Sequence, residues 1–488
     1  MTGELTKRTY TTRTPDKPGA FMLACKVIME NGGNITRVSY KRGGLNLFIE
    51  VEATKDQLNA IEKGLSEISY VDLHPKVPTV LVMEVKITDR PGSLYPVLKI
   101  IDKYDVSISY LNSRAENRDY QYFKIGMEVS DPKISKRILD EVSELYLLNV
   151  VQYNGNYDVL DYTVDYIRLA NIIQKLFSLE DRKIMEFVAE CREASALLTE
   201  RGQDPTLVFD KILQLANFIA FHRDLNFKPR ITTHQLTDET TLTVIEPPCG
   251  SNTYVLRNDD SLLFVDSGMG IFSDEMITEL REMFPAFFSM KKTMLVTHAD
   301  SDHCGLLSVI EKADIVVSKR TADGLFDMAR PIGDADAYDY CYARLDRIIT
   351  DYVPPEKERV RVVGADAPQV HDDFILLDKI VFGDVELEIY EGPGMQTRGE
   401  TVILSRNRKL LFTGDLYSNN KDVTPERAGY NEIAPFISRD SEENLARITD
   451  VRSKLGAIMD EIGRDGMIVC GGHGNIKRLR GIGHVQHN

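Results

Sequence analysis

The feature that most restricts the fold of this chain is an internal repeat in its N-terminal region. Residues 14–21 resemble residues 87–94, and both segments contain the pattern Asp-x-Pro-Gly. The same offset of 73 positions, measured from Pro18 to Pro91, carries Asn34 onto Ser107. Because two separated places share one register, the region is expected to fold as two copies of a single structural unit.

Each copy has the same predicted order of elements. A strand leads into the Asp-x-Pro-Gly loop, and apolar residues at helical spacing, such as Phe21, Cys25 and Ile28, then predict a helix. Two strands, a second helix and a short strand complete the copy. This βαββαβ order is that of a ferredoxin-like sandwich. Pro18 and Pro91 are predicted to lie in the first turn of their helices, where a missing N–H costs no hydrogen bond.

The two copies resemble a tandem pair of ACT domains, which are small modules that bind amino acids and regulate attached enzymes. The resemblance implies ACT-like domains at residues 1–76 and 77–153, and an amino-acid effector bound at each Asp-x-Pro-Gly turn. Free N–H groups at a helix start suit a ligand carboxylate, and an aspartate suits its ammonium group. The implied amino-acid-binding residues are Asp16, Gly19 and Asn34 in the first copy, and Asp89, Gly92 and Ser107 in the second.

Two other interpretations of these turns stay open. Asp16 and Asp89 are of the residue type that often caps helices without binding a ligand. Paired ferredoxin-like units also serve purely as assembly modules. A homo-oligomer formed through the ACT-like domains is expected, because sheets of this kind often pair across subunits.

Residues 154–230 are predicted to form a helical connector. Apolar residues recur at helical spacing over residues 157–177 and 180–200. Asp204 followed by Pro205 indicates the start of a third helix that runs to Phe221. The apolar stripes are expected to pack as core against a neighbouring domain or another subunit.

From about Ile231 onward, short buried strands end in polar side chains, often beside glycine. Loops at the ends of strands are where α/β layers hold active sites. Nitrogen and carboxylate ligands together suit zinc, iron or manganese. The residues in these positions are Asp266, His298, Asp300, Asp302, His303, Asp415 and His473.

This half of the chain resembles the metallo-β-lactamase superfamily over roughly residues 232–480. The family motif His-x-His-x-Asp-His appears here as residues 298–303, the family's Gly-Asp turn as Asp415, and its final Gly-His-Gly as His473. Asp266 matches an acid that usually shapes the site without binding metal. The resemblance implies an αββα sandwich over residues 231–488 that holds one or two divalent metal ions. The implied metal ligands are His298, Asp300, Asp302, His303, Asp415 and His473.

Two positions depart from the family pattern. Asp300 stands where a second histidine is usual, and residues 393–399 lack the third histidine. We therefore predict one firm metal and one weak or conditional metal. The set that keeps all its ligands is Asp302, His303, Asp415 and His473. The set that has lost one is His298, Asp300 and Asp415.

A bound metal lowers the pKa of water to near 7, so the centre predicts a hydrolase. Asp300 or Asp302 is the candidate to orient or deprotonate that water, and Arg398 the candidate to place an anionic substrate. Cys304 and Cys470 are interpreted as thiols that contact the ligands or as small buried residues. Residues 326–373 are interpreted as an insertion that forms a lid, a substrate wall or an interface.

Three functional hypotheses follow. The leading one is a metal-dependent hydrolase of a small, possibly anionic molecule, regulated by amino-acid binding to the ACT-like domains. The second is a non-haem diiron protein that handles electrons or oxygen, because Asp300 makes the motif similar to the His-x-Glu-x-Asp-His of the diiron flavoproteins. The third is an amino-acid sensor whose metal domain is catalytically degenerate, since the third histidine is missing.

Composition narrows the partners. The chain has 59 Lys and Arg against 75 Asp and Glu, a net charge of −16, which disfavours binding to nucleic acid or anionic membranes. No apolar stretch approaches the roughly 18 residues of a transmembrane helix, and the first residues do not resemble a signal peptide. Six scattered cysteines without a C-x-x-C motif are typical of reduced thiols. We therefore expect a cytoplasmic α/β and α+β multidomain protein.

Overall fold

The computed structural model describes residues 5–13, 19–41, 46–68, 79–115, 119–129, 131–153, 162–327, 337–364, 369–371, 373–393, 400–433 and 442–480. The backbone separates into two compact units, Met1–Thr163 and Val164–Asn488. The domain boundaries expected from the sequence are finer than this division and stay predictions.

The N-terminal unit contains the two copies of the repeat. The elements of the first copy are β1 (Leu5–Arg13), α1 (Ala20–Glu30), β2 (Asn34–Lys41), β3 (Asn46–Thr54) and α2 (Lys55–Ser66). The elements of the second copy are β4 (Thr79–Thr88), α3 (Tyr95–Lys103), β5 (Ser107–Ala115), β6 (Tyr120–Val129), α4 (Pro132–Ser143) and β7 (Leu148–Tyr153). The strand predicted to close the first copy falls among residues 69–78, outside the described residues.

Both sheets of this unit are antiparallel and share one topology. The strand orders are β1-β3-β2 in the first copy and β5-β6-β4-β7 in the second. The pairing register shifts between Ile35 and Arg37 in one copy and between Ile108 and Tyr110 in the other, which is the predicted offset of 73. The repeat therefore extends to the position of a β-bulge. Whether these copies are ACT domains stays a prediction.

The loop that precedes the first helix differs between the copies. In the first copy, α1 begins directly after Gly19. In the second, residues 91–94 form a turn and α3 begins only at Tyr95. The prediction that Pro91 lies in the first helical turn is therefore wrong, and Pro96 takes that place. Gly92 has φ +85°, which is left-handed, so Pro91 before it cannot belong to the helix.

The C-terminal unit begins with three helices, as predicted for the connector. They are α5 (Thr163–Phe177), α6 (Asp181–Glu200) and α7 (Thr206–Phe221). The predicted start at Tyr157 lies outside the described residues. Their buried stripes, such as Ile184, Val188 and Cys191 of α6, pack within this unit. The carboxylate of Asp204 accepts a hydrogen bond from the Thr206 N–H (3.0 Å), as expected near a helix start.

Two seven-stranded mixed sheets follow. The strands of the first are β8 (Arg230–Gln235), β9 (Thr241–Glu246), β10 (Thr253–Arg257), β11 (Ser261–Val265), β12 (Lys291–Leu295), β13 (Ala313–Ser318) and β14 (Val360–Val363). The strands of the second are β15 (Gln369–His371), β16 (Phe374–Phe382), β17 (Val385–Glu391), β18 (Thr401–Ser405), β19 (Leu410–Ser418), β20 (Ile468–His473) and β21 (Lys477–Arg478). In each sheet the strands lie in chain order across the sheet.

The helices among these strands are α8 (Ser273–Met283), α9 (Ser301–Cys304), α10 (Lys319–Phe326), α11 (Ala337–Ile349), α12 (Pro425–Ile433) and α13 (Glu442–Ile462). One core cluster joins residues of both sheets, including Leu263 and Leu295 of the first and Ile403 and Phe412 of the second, so the sheets pack face to face. A second cluster packs α13 on the outer face of the second sheet. This arrangement agrees with the expected sandwich of helices and two sheets.

The chain after the His298–His303 motif differs from the prediction. The apolar residues Leu306, Leu307 and Ile310 predict a helix after the motif. The structure instead has the short helix α9, Ser301–Cys304, and residues 305–309 form turns. The amide of Gly305 donates to the carbonyl of Gly268 (2.9 Å) and not to a carbonyl one turn back in α9. A Cβ at Gly305 would stand 2.1 Å from the backbone nitrogen of Gly270, so this close approach requires glycine.

Among the helices of the described residues, none is both long enough and apolar enough to span a membrane.

Candidate metal centre

The polar residues singled out in the C-terminal half meet at one edge of the two sheets. Strands β11 and β12 are parallel neighbours, so Asp266 and the 297–303 loop emerge side by side. Strands β19 and β20 of the second sheet carry Asp415 and His473 to the same place. The two sheets are joined here by backbone hydrogen bonds, from the Asn252 N–H to the Gly472 carbonyl (2.7 Å) and from the Thr401 N–H to the Thr297 carbonyl (2.8 Å).

Imidazole nitrogens and carboxylate oxygens face one another across this edge. His303 Nε2 lies 3.2 Å from Asp415 Oδ1, and His473 Nε2 lies 3.3 Å from the same oxygen. On the other side, His298 Nε2 lies 3.3 Å from Asp300 Oδ2. Two sets of ligand atoms each lie within 4.8 Å of one another: His298, His303 and Asp415, and Asp302, His303 and His473.

Three of these atoms are buried and lack a hydrogen-bond partner. They are His298 Nε2, His303 Nε2 and Asp415 Oδ1. An unpaired buried polar atom costs roughly 1–3 kcal/mol, so proteins rarely keep several together without a bound partner. The donor set of imidazole and carboxylate is one that divalent zinc, iron and manganese accept. The residues therefore fit a divalent metal ion.

Asp266 fixes the orientation of this centre without facing it. Its Oδ2 accepts a hydrogen bond from His303 Nδ1 (2.9 Å), and its Oδ1 accepts one from the Thr297 backbone N–H (2.8 Å). Asp266 has φ +56°, a left-handed backbone that aspartate tolerates better than most residues. This contact accords with the expected role of shaping the site.

Gly472 leaves the space that the centre needs. A Cβ built on this residue would stand 2.1 Å from Asp415 Oδ1 and 3.1 Å from His303 Cε1. Any side chain here would displace the Asp415 carboxylate. The backbone around Gly472 is in turn held by Asn252, whose side-chain amide donates to the carbonyls of Gly471 (3.1 Å) and Gly474 (2.7 Å).

Helix α12 contributes two residues that the sequence analysis missed. Arg427 is fully buried, and its Nη2 lies 3.3 Å from His473 Nδ1. Tyr430 donates a hydrogen bond from its hydroxyl to Asp302 Oδ2 (3.4 Å). The only signal available in the sequence was that an arginine and a tyrosine three residues apart lie on one helical face. That pattern is too common to indicate a site.

Burial and the surrounding carboxylates set the protonation of the histidines. Burial opposes the charged form of His298, but the carboxylates of Asp300 and Asp415 outweigh it and raise its pKa to about 9. The pKa of His303 is likewise raised, against its burial, by Asp302, Asp415 and Asp266. The pKa of Asp415 is lowered well below its usual range, against burial, by His473 and His303. The centre thus carries an excess of negative charge that protons or a cation must balance.

Helix α11, within the predicted insertion, supports the 297–303 loop from behind. Arg347 donates hydrogen bonds from Nη2 to the carbonyls of Ala299 (3.0 Å) and Gly324 (2.7 Å). The Ser301 hydroxyl donates to the buried carboxylate of Asp346. Arg344 of the same helix forms an ion pair with Glu190 of α6. In the described residues this helix is a structural support between the connector helices and the metal loop.

The remaining predicted residues lie as follows. Asp16 and Arg398, and the segment at 394–399 that lacks the third histidine, are outside the described residues. Cys304 donates a hydrogen bond from its thiol to the Asp300 carbonyl (3.0 Å), and burial raises the pKa of this thiol to about 12. Cys470 is buried in the core between the sheets.

Of the predicted amino-acid-binding residues of the repeats, the five that the structure describes are exposed. Gly19 and Gly92 have matching left-handed φ values of +84° and +85°, and nothing lies within 4 Å of a Cβ built on either. Asn34 and Ser107 open equivalent strands and are exposed. The carboxylate of Asp89 accepts a hydrogen bond from the Gln121 side chain (2.7 Å) and does not cap α3.

Residues 247–454 match the model of the metallo-beta-lactamase superfamily. The match supports a domain of this superfamily in the C-terminal part of the chain, and members of the superfamily bind divalent metals such as zinc or iron. The matched segment includes five of the six predicted ligands and ends before His473. No curated protein matches the sequence.

Solved structures resemble about half of the chain. A B3 metallo-beta-lactamase with an active-site glutamic acid is 15% identical, with a TM-score of 0.32, covering 50% of this chain and 82% of that one. A metallo-beta-lactamase from Pontibacter korlensis is 13% identical, with a TM-score of 0.32, covering 51% and 94%. The Flv1 flavodiiron core from Synechocystis sp. PCC6803 is 13% identical, with a TM-score of 0.32, covering 51% and 58%.

Proposed function

We propose that the C-terminal unit is a metal-dependent hydrolase of a small, anionic molecule. The observation that carries the proposal is the convergence of His298 Nε2, His303 Nε2 and Asp415 Oδ1, all buried and without hydrogen-bond partners. The six predicted ligand positions lie at this edge of the sheets. A divalent ion bound there supplies a Lewis acid and lowers the pKa of water toward neutrality.

The carboxylates at the centre differ in their distances from the histidines. Asp415 lies within 3.3 Å of two histidines, and Asp300 lies 3.3 Å from His298. Asp302 stands further off, at 3.9 Å from His303 Nε2 and 3.8 Å from His473 Nε2. Asp302 is therefore the carboxylate best placed to orient a water molecule and accept its proton. The Tyr430 hydroxyl holds it in that position.

The proposal that the substrate is anionic rests on the sequence alone. Arg398 is the proposed contact for an anionic group, and replacing it with glutamine is expected to raise KM for anionic substrates more than it lowers kcat. A change in kcat alone would assign Arg398 a different role.

The hydrolase is tested with the full-length chain loaded with zinc, manganese or, anaerobically, ferrous iron. Chromogenic carboxylate esters, thioesters, lactams and phosphodiesters serve as substrates. We expect hydrolysis of at least one class that EDTA abolishes and that His303→Gln lowers at least about 100-fold. His234→Gln, on the edge strand β8, is the matched control. Fully loaded protein that hydrolyses none of these classes would refute the proposal.

A redox function is the second candidate, and Asp300 favours it. Its carboxylate lies beside His298, so the centre has as many carboxylates as imidazoles. Oxygen ligands favour iron or manganese over zinc. Iron retained in anaerobically purified protein, with oxygen consumption in the presence of a separate electron donor, would support this function. Retention of zinc alone and no oxygen consumption would exclude it.

Regulation by an amino acid is proposed for the N-terminal unit. The matching left-handed glycines and exposed polar residues of the two copies support a pair of equivalent surface sites. Calorimetric titration with the common amino acids is expected to detect binding that Asp89→Asn weakens and that Asp102→Asn, on α3, does not. Coupling further requires that the bound amino acid change hydrolysis. An activity that stays flat while binding is saturated would refute the coupling.

A homo-oligomer is proposed through the same unit. Strand β5 lies at the edge of its sheet, and its side chains are exposed along the whole strand, including Ile108, Tyr110 and Leu111. An exposed edge with apolar side chains is a template for pairing with another chain. Light scattering is expected to show an oligomer that Leu111→Lys weakens. A monomer at micromolar concentration would exclude it.

A further inference from the structure

The histidines of the metal centre differ in which ring nitrogen carries the proton. A neutral imidazole has one N–H donor and one acceptor nitrogen, so the partner of one nitrogen fixes the state of the other. A metal ion binds only a nitrogen that presents a lone pair. The partners of the Nδ1 atoms therefore decide which histidines are prepared to bind an ion through Nε2.

His303 and His298 are both prepared. His303 Nδ1 faces the carboxylate of Asp266, which accepts hydrogen bonds, so Nδ1 carries the proton. His298 Nδ1 lies 3.0 Å from the Thr297 hydroxyl. That hydroxyl donates its own hydrogen to Asp266 Oδ2 (2.9 Å), so toward His298 it accepts. In their neutral forms both imidazoles consequently present a lone pair at Nε2, and the carboxylate of Asp266 fixes the proton on Nδ1 of both.

His473 has the opposite arrangement. Its Nδ1 faces Arg427 Nη2 at 3.3 Å, and a guanidinium only donates hydrogen bonds. Nδ1 must therefore accept, which places the proton of the neutral ring on Nε2. Arg427 is held in this position because it also donates to the carbonyls of Pro247 (2.9 Å) and Gly250. It is buried, so it cannot turn away to solvent.

We propose that the first divalent ion is bound by His298 Nε2, His303 Nε2 and Asp415 Oδ1, and that His473 is a hydrogen-bond donor to the centre and not a ligand. This assignment rests on the metal centre of the proposed function and reverses the sequence-based ranking, in which the set containing His473 was the firm one. The three proposed ligand atoms are the ones at the centre that are buried without partners. They also lie within 4.8 Å of one another.

The charge of Arg427 also disfavours a metal ion bound to His473. A buried cation beside His473 repels a second metal ion there, since charges interact strongly where water is excluded. One ion is therefore bound per chain, and His473 is left to donate its N–H to an oxygen atom of the substrate.

Zinc affinity of the full-length chain tests the assignment, measured by competition with a chromophoric chelator. Glutamine is substituted at each histidine in turn. We expect His298→Gln and His303→Gln to weaken zinc binding at least about 100-fold, because each removes a ligand, and His473→Gln to change it less than about 5-fold. Equal losses in all three variants, or no zinc binding by the unaltered chain, would overturn the proposal.

Nitrogen-15 NMR of the histidine rings tests it in the unaltered chain, so the result does not depend on the folding of a variant. On addition of zinc, the Nε2 signals of His298 and His303 are expected to move to the metal-bound range, while His473 keeps its proton on Nε2. A metal-bound Nε2 signal from His473 would overturn the assignment. Protein that binds zinc in this manner and hydrolyses nothing would refute the proposed function and leave the ligand assignment standing.

Discussion

The metal centre and the glycine turns of the N-terminal repeats were both predicted from polar residues beside glycine. The structure reveals the roles of the polar residues at the metal centre much more clearly than the roles of those in the repeats. At the metal centre, His303 and Asp266 are buried, and each has a neighbour that restricts its orientation. In the repeats, Asn34 and Ser107 are exposed. A buried polar group must be satisfied, so its partners reveal its role, whereas an exposed polar group is satisfied by water and reveals little.

The glycines of the two regions show the same contrast. Gly472 is required because a Cβ would collide with a carboxylate of the centre. Gly92 is required only by its left-handed backbone, with open space around it. Substitution of Gly472 should therefore impair metal binding, whereas substitution of Gly92 should cost only conformational energy.

The largest effect is expected from Gly472→Ala. The added methyl would occupy the place of Asp415 Oδ1, so the carboxylate must leave the centre. We expect zinc affinity to fall at least about 100-fold, with a loss of about 1–3 kcal/mol in unfolding free energy from overpacking. Gly364→Ala, at a site with open space and no left-handed backbone, is the control. Unchanged zinc affinity in Gly472→Ala would remove Asp415 from the ligand set.

The next largest effect is expected in the pH dependence of the unfolding free energy. The pKa of His298 is about 9 in the folded, ion-free protein against an ordinary value of 6.5, so its charged form stabilises the fold below pH 6.5. That contribution, at most about 3 kcal/mol, is lost as the pH rises from 6.5 to 9. Chemical denaturation in EDTA should show the loss, and His298→Gln should lack it. An ion-free protein that gains stability over this range relative to the variant would contradict the prediction.

Asp266→Asn is expected to have an intermediate effect. Asparagine keeps the shape and tolerates the left-handed backbone, but its amide nitrogen cannot accept the hydrogen bond of His303 Nδ1. Zinc affinity should fall about 10–100-fold, as for other residues that orient a ligand. Asp105→Asn makes the same change at another left-handed aspartate, in the N-terminal unit, and should leave the affinity unaltered. Equal affinity for the two variants would show that Asp266 does not orient the centre.

The smallest effect is expected at the turns. Gly19→Ala and Gly92→Ala each place a Cβ on a left-handed residue with open space around it. Each should lower the unfolding free energy of the N-terminal unit by about 1–2 kcal/mol and leave zinc affinity unchanged. Thermal unfolding followed by circular dichroism measures the first and chelator competition the second. A loss of zinc binding in either variant would show that the turns and the metal centre depend on one another.

Much of the fold was predictable because it depends on local patterns. The repeat offset located equivalent strands and glycines, and apolar periodicity located the three connector helices. The ends of elements were less predictable, since they depend on distant contacts. Helix α9 ends at Cys304 because the Gly305 amide bonds to Gly268, a residue far away in sequence.

At the metal centre, the residue types were predictable from the sequence. The hydrogen-bond partners of these residues, and therefore which of them bind an ion, were not. The family motifs singled out His298, His303, Asp415 and His473, because each stands beyond or near the end of a buried strand. Which of these histidines binds the first ion depends on the hydrogen-bond partner of its Nδ1 atom. Arg427 is 46 positions from His473 in the chain, and no local pattern indicates that its guanidinium faces that ring.

The geometry also bears on the hypothesis of a degenerate metal domain. A scaffold that binds no ion has no reason to keep buried, unpartnered nitrogen and oxygen atoms aimed at one point, because each costs stability. Replacing them with apolar residues would make such a scaffold more stable. Their retention favours a centre that still binds a cation.

The most direct measurement is a crystal structure of the zinc-loaded protein with anomalous scattering at the zinc edge. We predict one peak per chain, about 2.0–2.2 Å from His298 Nε2, His303 Nε2 and Asp415 Oδ1, with His473 not coordinated. A peak coordinated by Asp302 and His473 in place of His298, or no peak at this edge of the sheets, would contradict it.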